Sequence, residues 1–287
     1  MHYARYKTIL SPQNGMNLYR GCTHGCIYCD SRSHCYQIQH GFEDVEVKQD
    51  AIAILEGQLR RKRAPCMIGT GSMCDPYLPL EEELRLTRQS LALIERLGFG
   101  ASVLTKSSRI LRDLDLLCAI NQRAKCVAQL TLTTFDETLC RLVEPGVSTT
   151  LERAGALQAL RDRGIPTIVW LSPILPFLND SEANLRGILS LCAAAGVRGI
   201  LSFGFGMTLR AGSRDFFYQR LDELFPGLKA QYSKAFGESY LCPSPNEAAL
   251  LRVFHGECER LGIWHEPKRI FAYLHAFEGG RMQTSLF

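Results

Sequence analysis

From Met16 to about residue 205 the chain alternates short apolar runs, rich in β-branched residues, with longer amphipathic stretches. The runs MNLYR (16–20), CMIGTG (66–71), ASVLTKS (101–107), CVAQLTLTT (126–134), TIVWLSPIL (167–175) and GILSFGF (199–205) predict strands. They are continuous rather than alternating, as expected of parallel strands covered on both faces. Between them, QDAIAILEGQLRRKR (49–63) carries apolar residues at helical spacing and ends in a basic cluster that suits a helix C-terminus. EEELRLTRQSLALIERLG (81–98) opens on acids and closes on Gly98, which predicts one helix with both its start and its stop. SRILRDLDLLCAIN (108–121), TTLERAGALQALRDRG (149–164) and SEANLRGILSLCAAAG (181–196) have the same form. A β-then-α unit repeated about six times predicts a doubly wound sheet or a (β/α) barrel, with fewer units than the eight of a closed one. Residues 215–287 change to mainly helical patterns without further clear strands, so the chain divides into 1–214 and a helical extension, 215–287, expected to pack on the barrel.

Composition narrows the class. Hydrophobic residues are 46% and charged residues 22% of the 287, enough apolar material for a sizeable core, which excludes a disordered or fibrous chain. The sequence holds no apolar run long enough to span a membrane and no N-terminal secretory pattern, so the cytoplasm is the expected compartment. A net charge of +4 is too small to imply nucleic-acid binding by itself. The basic run RRKR (60–63) reads first as the solvated end of its helix, and the aromatics of DFFYQRL (215–221) and AYLHAF (272–277) as helix-face packing.

Twelve cysteines are unusual for such a chain, and in a reducing compartment clustered thiols point to metal or chemistry. Cys118, Cys126, Cys140, Cys192 and Cys258 stand singly in apolar surroundings and read as small buried hydrophobes. By contrast, GCTHGCIYCD places Cys22, Cys26 and Cys29 in a C-x3-C-x2-C pattern directly after the first predicted strand. Chance would produce that spacing only about 0.02 times in a chain of this composition. The loops at the C-terminal ends of strands are where α/β folds build their sites. Three thiolates on one loop suit three corners of an iron–sulfur cube and leave one iron open to a ligand. The competing readings are a simple electron-transfer cluster, or a zinc knuckle made of these cysteines with Cys35 and His24 or His34.

The triplet, followed by GTGSMCDPYLPLE, LTKS and SPILPFLND, resembles the radical S-adenosylmethionine (SAM) superfamily, and within it the spore photoproduct lyase-like branch. The resemblance covers most of residues 8–205. It implies a partial (β/α)6 TIM-like barrel in which Cys22, Cys26 and Cys29 bind a [4Fe–4S] cluster while SAM chelates the fourth iron. It further implies reductive cleavage of SAM to a 5′-deoxyadenosyl radical that abstracts hydrogen from a substrate. Tyr28 would lie near the adenine, Ser72 and Met73 near the SAM amino group, with Asp75 orienting that turn. Lys106 would meet the SAM carboxylate. Thr131, Thr133 and Arg153 resemble ribose or carboxylate contacts, and Leu175 and Pro176 an adenine-contacting strand end. The resemblance also implies a flavodoxin- or ferredoxin-type reductant, and it makes a DNA or nucleotide photoproduct the leading substrate. The protein is expected to be a monomer. Two departures from the lyase pattern stand out. Ser72 occupies the position of the lyase's hydrogen-donating cysteine, which leaves Cys74 or Tyr77 as donor, and only 21 residues precede Cys22. The alternative function is a non-catalytic iron–sulfur or zinc module that serves a partner protein.

Overall fold

The computed structural model describes residues 1–279; residues 280–287 of the expected extension lie outside the described residues. Eleven strands occur in it: β1 (His2–Ala4), β2 (Gly15–Met16), β3 (Tyr19–Arg20), β4 (Glu46–Lys48), β5 (Met67–Thr70), β6 (Gly100–Thr105), β7 (Cys126–Thr131), β8 (Thr167–Trp170), β9 (Gly199–Leu201), β10 (Gly206–Thr208) and β11 (Leu241–Pro243). Strands β2, β5, β6, β7, β8 and β9 form one sheet in that order, and every pairing in it is parallel. This is the expected α/β partial barrel of six strands. Beside β9, Trp264 bridges Gly199 in parallel and so widens the sheet by a single residue.

Both faces of the sheet are covered, which is why its strands read as continuous apolar runs. Ile68, Ala101, Val103, Ala128 and Val169 belong to the main core, together with Leu55, Leu91, Leu157 and Ile188 of the surrounding helices. Met67, Val127, Ile168 and Leu201 instead pack with Ile270 and Leu274 of a helix near the C-terminus. Lys125 is buried beside that helix, and its Nζ donates to the carbonyls of Tyr273 (2.6 Å) and Ala276 (3.0 Å), satisfying helix-end acceptors.

The helices are α1 (Ala51–Arg60), α2 (Glu81–Leu84), α3 (Leu86–Arg96), α4 (Leu114–Arg123), α5 (Glu137–Val143), α6 (Thr150–Asp162), α7 (Glu182–Ala194), α8 (Ser213–Leu224), α9 (Leu228–Phe236), α10 (Glu247–Leu261) and α11 (Pro267–His275). Thr149 and Glu152 form a capping box at the start of α6, and Ser181 caps α7.

Four expectations need correction. The helix expected over 81–98 is two helices, broken at Arg85 in a left-handed conformation. Glu81 turns inward there: its carboxylate accepts the Thr87 N–H (2.8 Å) and the Tyr19 hydroxyl and pairs with Arg112. The first predicted strand is also divided. Gly15–Met16 stays in the main sheet, whereas Tyr19–Arg20 crosses to a small sheet with β4 and β1. In 108–121 the chain begins as a 3-10 turn, Ser108–Asp113, before α4 starts. Finally, the C-terminal region contributes a strand: β11 pairs antiparallel with β10 across two intervening helices.

Candidate active site

The C-terminal ends of the strands open on a cavity of about 790 Å³. Cys22, Cys26 and Cys29 all line it, and all three are free thiols. Their loop is held from several sides. Cys22 N–H donates to the Phe42 carbonyl (2.9 Å), Ile27 N–H to the Val143 carbonyl (3.0 Å), and Gly146 N–H to the His24 carbonyl (2.8 Å). Among the described residues, the three sulfurs do not form a set lying wholly within 4.8 Å of one another. One tetrahedral zinc, at Zn–S ≈ 2.3 Å, would need them about 3.8 Å apart. As the thiols stand, they are not gathered as one zinc ion would gather them. Cys35, the fourth ligand of a zinc knuckle, is exposed and lies 3.5 Å from an Arg210 nitrogen, outside the cavity.

The thiols differ electrostatically. A hydrogen bond with Cys74 lowers the Cys22 thiol to about 7, against burial and with help from the nearby His24. Burial pushes Cys26 and Cys29 up. Cys74 is buried, donates to the Gly21 carbonyl (2.9 Å) and lines the same cavity.

The turn after β5 supplies the next wall. Gly71 has φ +97°, and a Cβ there would lie 1.8 Å from the Leu104 carbonyl oxygen, so no side chain fits. The chain can thus fold over β6 and present Ser72 and Met73 to the cavity. Asp75 pins the turn. One carboxylate oxygen accepts Tyr77 N–H (2.8 Å) and the Thr105 hydroxyl (2.6 Å), the other Lys106 N–H (2.7 Å), and His24 Nδ1 stands 3.5 Å away. It therefore forms the Asx-type turn ahead of Pro76 and also ties β5 to the end of β6.

Lys106 reaches into the cavity from β6 and joins a buried charge network. Its Nζ donates to the Tyr28 hydroxyl (3.1 Å) and lies 3.3 Å from Glu144 Oε1. Tyr28 donates to the same Glu144 oxygen, while Arg153 Nη2 meets Glu144 Oε2 at 2.5 Å and Arg153 Nη1 donates to the Thr131 carbonyl (2.7 Å). Glu144 and Arg153 are fully buried. Burial alone would raise the Glu144 carboxyl, but Arg153 and Lys106, with the Tyr28 hydroxyl, hold it at about 2.

The far wall differs. Trp170 at the end of β8, Phe203 and Phe205 after β9, Met207 of β10, and Leu241 and Cys242 of β11 line it. Phe203 is 60% exposed, and its ring stacks on Phe271 of α11 (6.1 Å between centroids) and tilts against Trp170 (5.8 Å).

Of the residues singled out in the sequence, Cys22, Cys26, Tyr28, Cys29, Ser72, Met73, Cys74, Asp75, Lys106 and Thr131 line this one cavity. The structure does not bring Tyr77, Thr133, Arg153, Leu175 or Pro176 to its surface. Tyr77 is fully buried with Arg112 over its ring (5.6 Å to the centroid). Thr133 is buried beside Thr134, and its carbonyl accepts from Asn179 (2.9 Å). Leu175 packs in the core behind the cysteine loop, and the Pro176 carbonyl accepts from the Tyr232 hydroxyl (2.7 Å). Arg153 acts one layer back, through Glu144. Sequence reasoning missed Glu144, whose only local trace is an acid in VEPG between α5 and α6, and it missed the β10–β11 wall.

The radical SAM superfamily model matches residues 16–186. An uncharacterized protein of Mycobacterium bovis is 33% identical over 247 residues, which are 83% of this chain and 72% of that one. A radical SAM Nalpha-GlyT isomerase of Pseudomonas phage M6 is 24% identical over 175 residues, 61% of this chain and 35% of the isomerase. Among solved structures, a spore photoproduct lyase variant superposes with a TM-score of 0.65 at 15% identity, covering 92% of this chain and 80% of that one. The chain belongs to the radical SAM superfamily. The family's cofactors, a [4Fe–4S] cluster and SAM, come with that membership, and the donor set of the cavity fits them. Among the described residues no helix is long and apolar enough to cross a membrane.

Proposed function

We propose that this protein is an enzyme that abstracts a hydrogen atom from an uncharged, planar or apolar group of its substrate, with a pyrimidine nucleobase as the leading class. The bound cluster and SAM supply the chemistry, a 5′-deoxyadenosyl radical formed by reductive cleavage with an electron from a flavodoxin- or ferredoxin-type donor. Everything else falls to the chain. Cys22, Cys26 and Cys29 hold three irons and leave the fourth to SAM. Lys106 meets the SAM carboxylate as a point charge, and the backbone of Gly71–Met73 meets its amino group. Glu144 and Arg153 keep Lys106 and Tyr28 in place. The buried part of the far wall, Phe205 and Met207, keeps water from the radical.

The observation that carries this reading is the convergence of the three cysteines, the Gly71–Asp75 turn and Lys106 on one cavity whose opposite wall is aromatic. Among the described residues no arginine lines that cavity, and Lys106 is its only lysine. Such a lining, with Asp30 and Glu247 among its residues, does not suit an anionic reacting group, and its rings suit an uncharged one. The aromatic rim at Trp170 and Phe203 suits a planar group, and the lyase neighbour is known in complex with a dinucleoside spore photoproduct.

The test is anaerobic reconstitution with iron and sulfide, then dithionite and SAM, with 5′-deoxyadenosine read by chromatography. Formation in the wild type and its disappearance in Cys22/Cys26/Cys29→Ala supports the reading. A reducible cluster that cleaves no SAM, with or without substrate, makes the protein a non-catalytic module, and a colourless zinc protein overturns the cluster. Conversion of a dinucleoside photoproduct would support the nucleobase class. Deoxyadenosine formed at a rate unchanged by any nucleoside would move the substrate elsewhere.

A further inference from the structure

A second group of metal-ligating side chains lies outside the cavity, on the small sheet. Strand β1 pairs with β4 so that His2 stands opposite Glu46. Cross-strand partners in register bring their side chains together. The loop leading into β4 adds His40 and Asp44. The His2 and His40 rings meet edge to face, 4.8 Å between centroids. Donor atoms of His2, His40 and Asp44 all lie within 4.8 Å of one another, the one such set of histidine, cysteine and acidic groups among the described residues.

Each ring is oriented as a ligand is. His2 Nδ1 faces Asp44 Oδ2 at 2.9 Å, and His40 Nδ1 faces the Gly41 carbonyl at 2.9 Å. A carbonyl oxygen only accepts, so His40 Nδ1 carries a proton, and in the neutral ring Nε2 holds the lone pair left for a ligand. That Nε2 is buried and has no hydrogen-bond partner. Glu46 Oε2 stands 3.7 Å from Nε2 of both rings, too far for a hydrogen bond. A metal-bound imidazole has this arrangement, its second nitrogen donating to a carbonyl or carboxylate that fixes the ring.

We propose that His2 and His40, through their Nε2 atoms and with the Glu46 carboxylate beside both rings, form a binding site for a borderline divalent cation of the zinc, nickel or cobalt type, Asp44 holding the His2 ring through Nδ1. Imidazole with carboxylate selects these over calcium and magnesium, which take oxygen ligands. The site would clamp the 40–44 loop to the first strand. The same loop holds the cysteine loop, because the Phe42 carbonyl accepts the Cys22 N–H. The proposal does not depend on the radical chemistry above.

The experiment uses full-length Cys22/Cys26/Cys29→Ala protein, so that neither cluster nor zinc occupies the cysteine loop. Calorimetric titration with Zn2+ and the visible spectrum of the Co2+ form are recorded for it and for the same protein carrying His40→Ala, His2→Ala or Asp44→Asn. The expected result is one equivalent of Zn2+, a cobalt spectrum without thiolate charge-transfer bands, and at least about 10- to 100-fold weaker binding in each of the three variants. Zinc should also raise the melting temperature of the parent protein and leave that of His40→Ala unchanged, a readout that separates lost binding from lost folding. Absence of binding in the parent overturns the site, as does binding unchanged by His40→Ala. Calcium binding equal to that of zinc overturns the assigned cation class.

Discussion

The two walls of the cavity are built on opposite physical plans. On the cysteine side, the buried carboxylates are committed: Asp75 accepts three hydrogen bonds, and Glu144 is shared by Tyr28, Lys106 and Arg153. On the far side, Trp170, Phe203, Met207, Leu241 and Cys242 offer rings and aliphatic surface, part of it exposed to solvent. Buried charges must be paired to be tolerated, so the first wall has one workable arrangement. An apolar wall tolerates exchanges of similar volume, so the second is free to vary in shape. The difference teaches that the cysteine wall is fixed by its buried charges, and on the proposed function the far wall is where selectivity would be set.

The contrast can be broken most completely at the thiols: replacing Cys22, Cys26 and Cys29 together by alanine should abolish deoxyadenosine formation while the fold, read by circular dichroism, persists. Next in size is Glu144→Ala, which leaves the Arg153 guanidinium buried and unpaired and should cost about 3–5 kcal/mol in denaturant unfolding. Its loss should also weaken SAM binding measured by calorimetry, because Lys106 and Tyr28 lose their common anchor.

The same network predicts a pH dependence. The Glu144 carboxyl is depressed to about 2 in the folded chain, below its ordinary unfolded value, so its contribution to stability is present above about pH 4.5 and is lost as pH falls toward 2. Melting temperatures of the cluster-free protein between pH 6 and 3 should therefore fall, and fall less steeply in Glu144→Gln. A profile identical in the two proteins would show that the carboxylate is not charged in the fold.

Gly71→Ala is a smaller disturbance of the same wall. It forces a side chain into a left-handed conformation against the Leu104 carbonyl, which should cost about 1–3 kcal/mol and disturb SAM binding more than cluster assembly. The far wall should respond least in stability. Phe203→Ala removes a ring that is 60% exposed, so unfolding should change by about 0.5 kcal/mol or less while the KM for substrate rises. A large loss of stability there would mean that the ring is structural, and the contrast between the walls would fail.

The cysteine spacing, the alternation of apolar runs and helices, the GTGSMCD turn and Lys106 could all be read from local sequence, because each leaves its mark within a few residues. Glu144 could not. It sits just after a seven-residue helix, and what makes it functional is contact with Tyr28, Lys106 and Arg153, residues 116, 38 and 9 positions away. Arg153 shows the reverse case, a residue expected from the resemblance to contact the ribose or carboxylate but placed by the fold behind Glu144 instead of on the cavity surface.

By itself, then, the sequence determined the parallel α/β layering and the loop of three thiols, since strand hydrophobicity and ligand spacing are properties of contiguous residues. Tertiary structure alone decided that β10 and β11, three residues each and separated by α8 and α9, would pair into the far wall. It also decided that helix 81–98 would break to satisfy Glu81 and that His2 would stand beside Glu46. In each of these the energy lies in contacts between distant segments, which no local run of residues records.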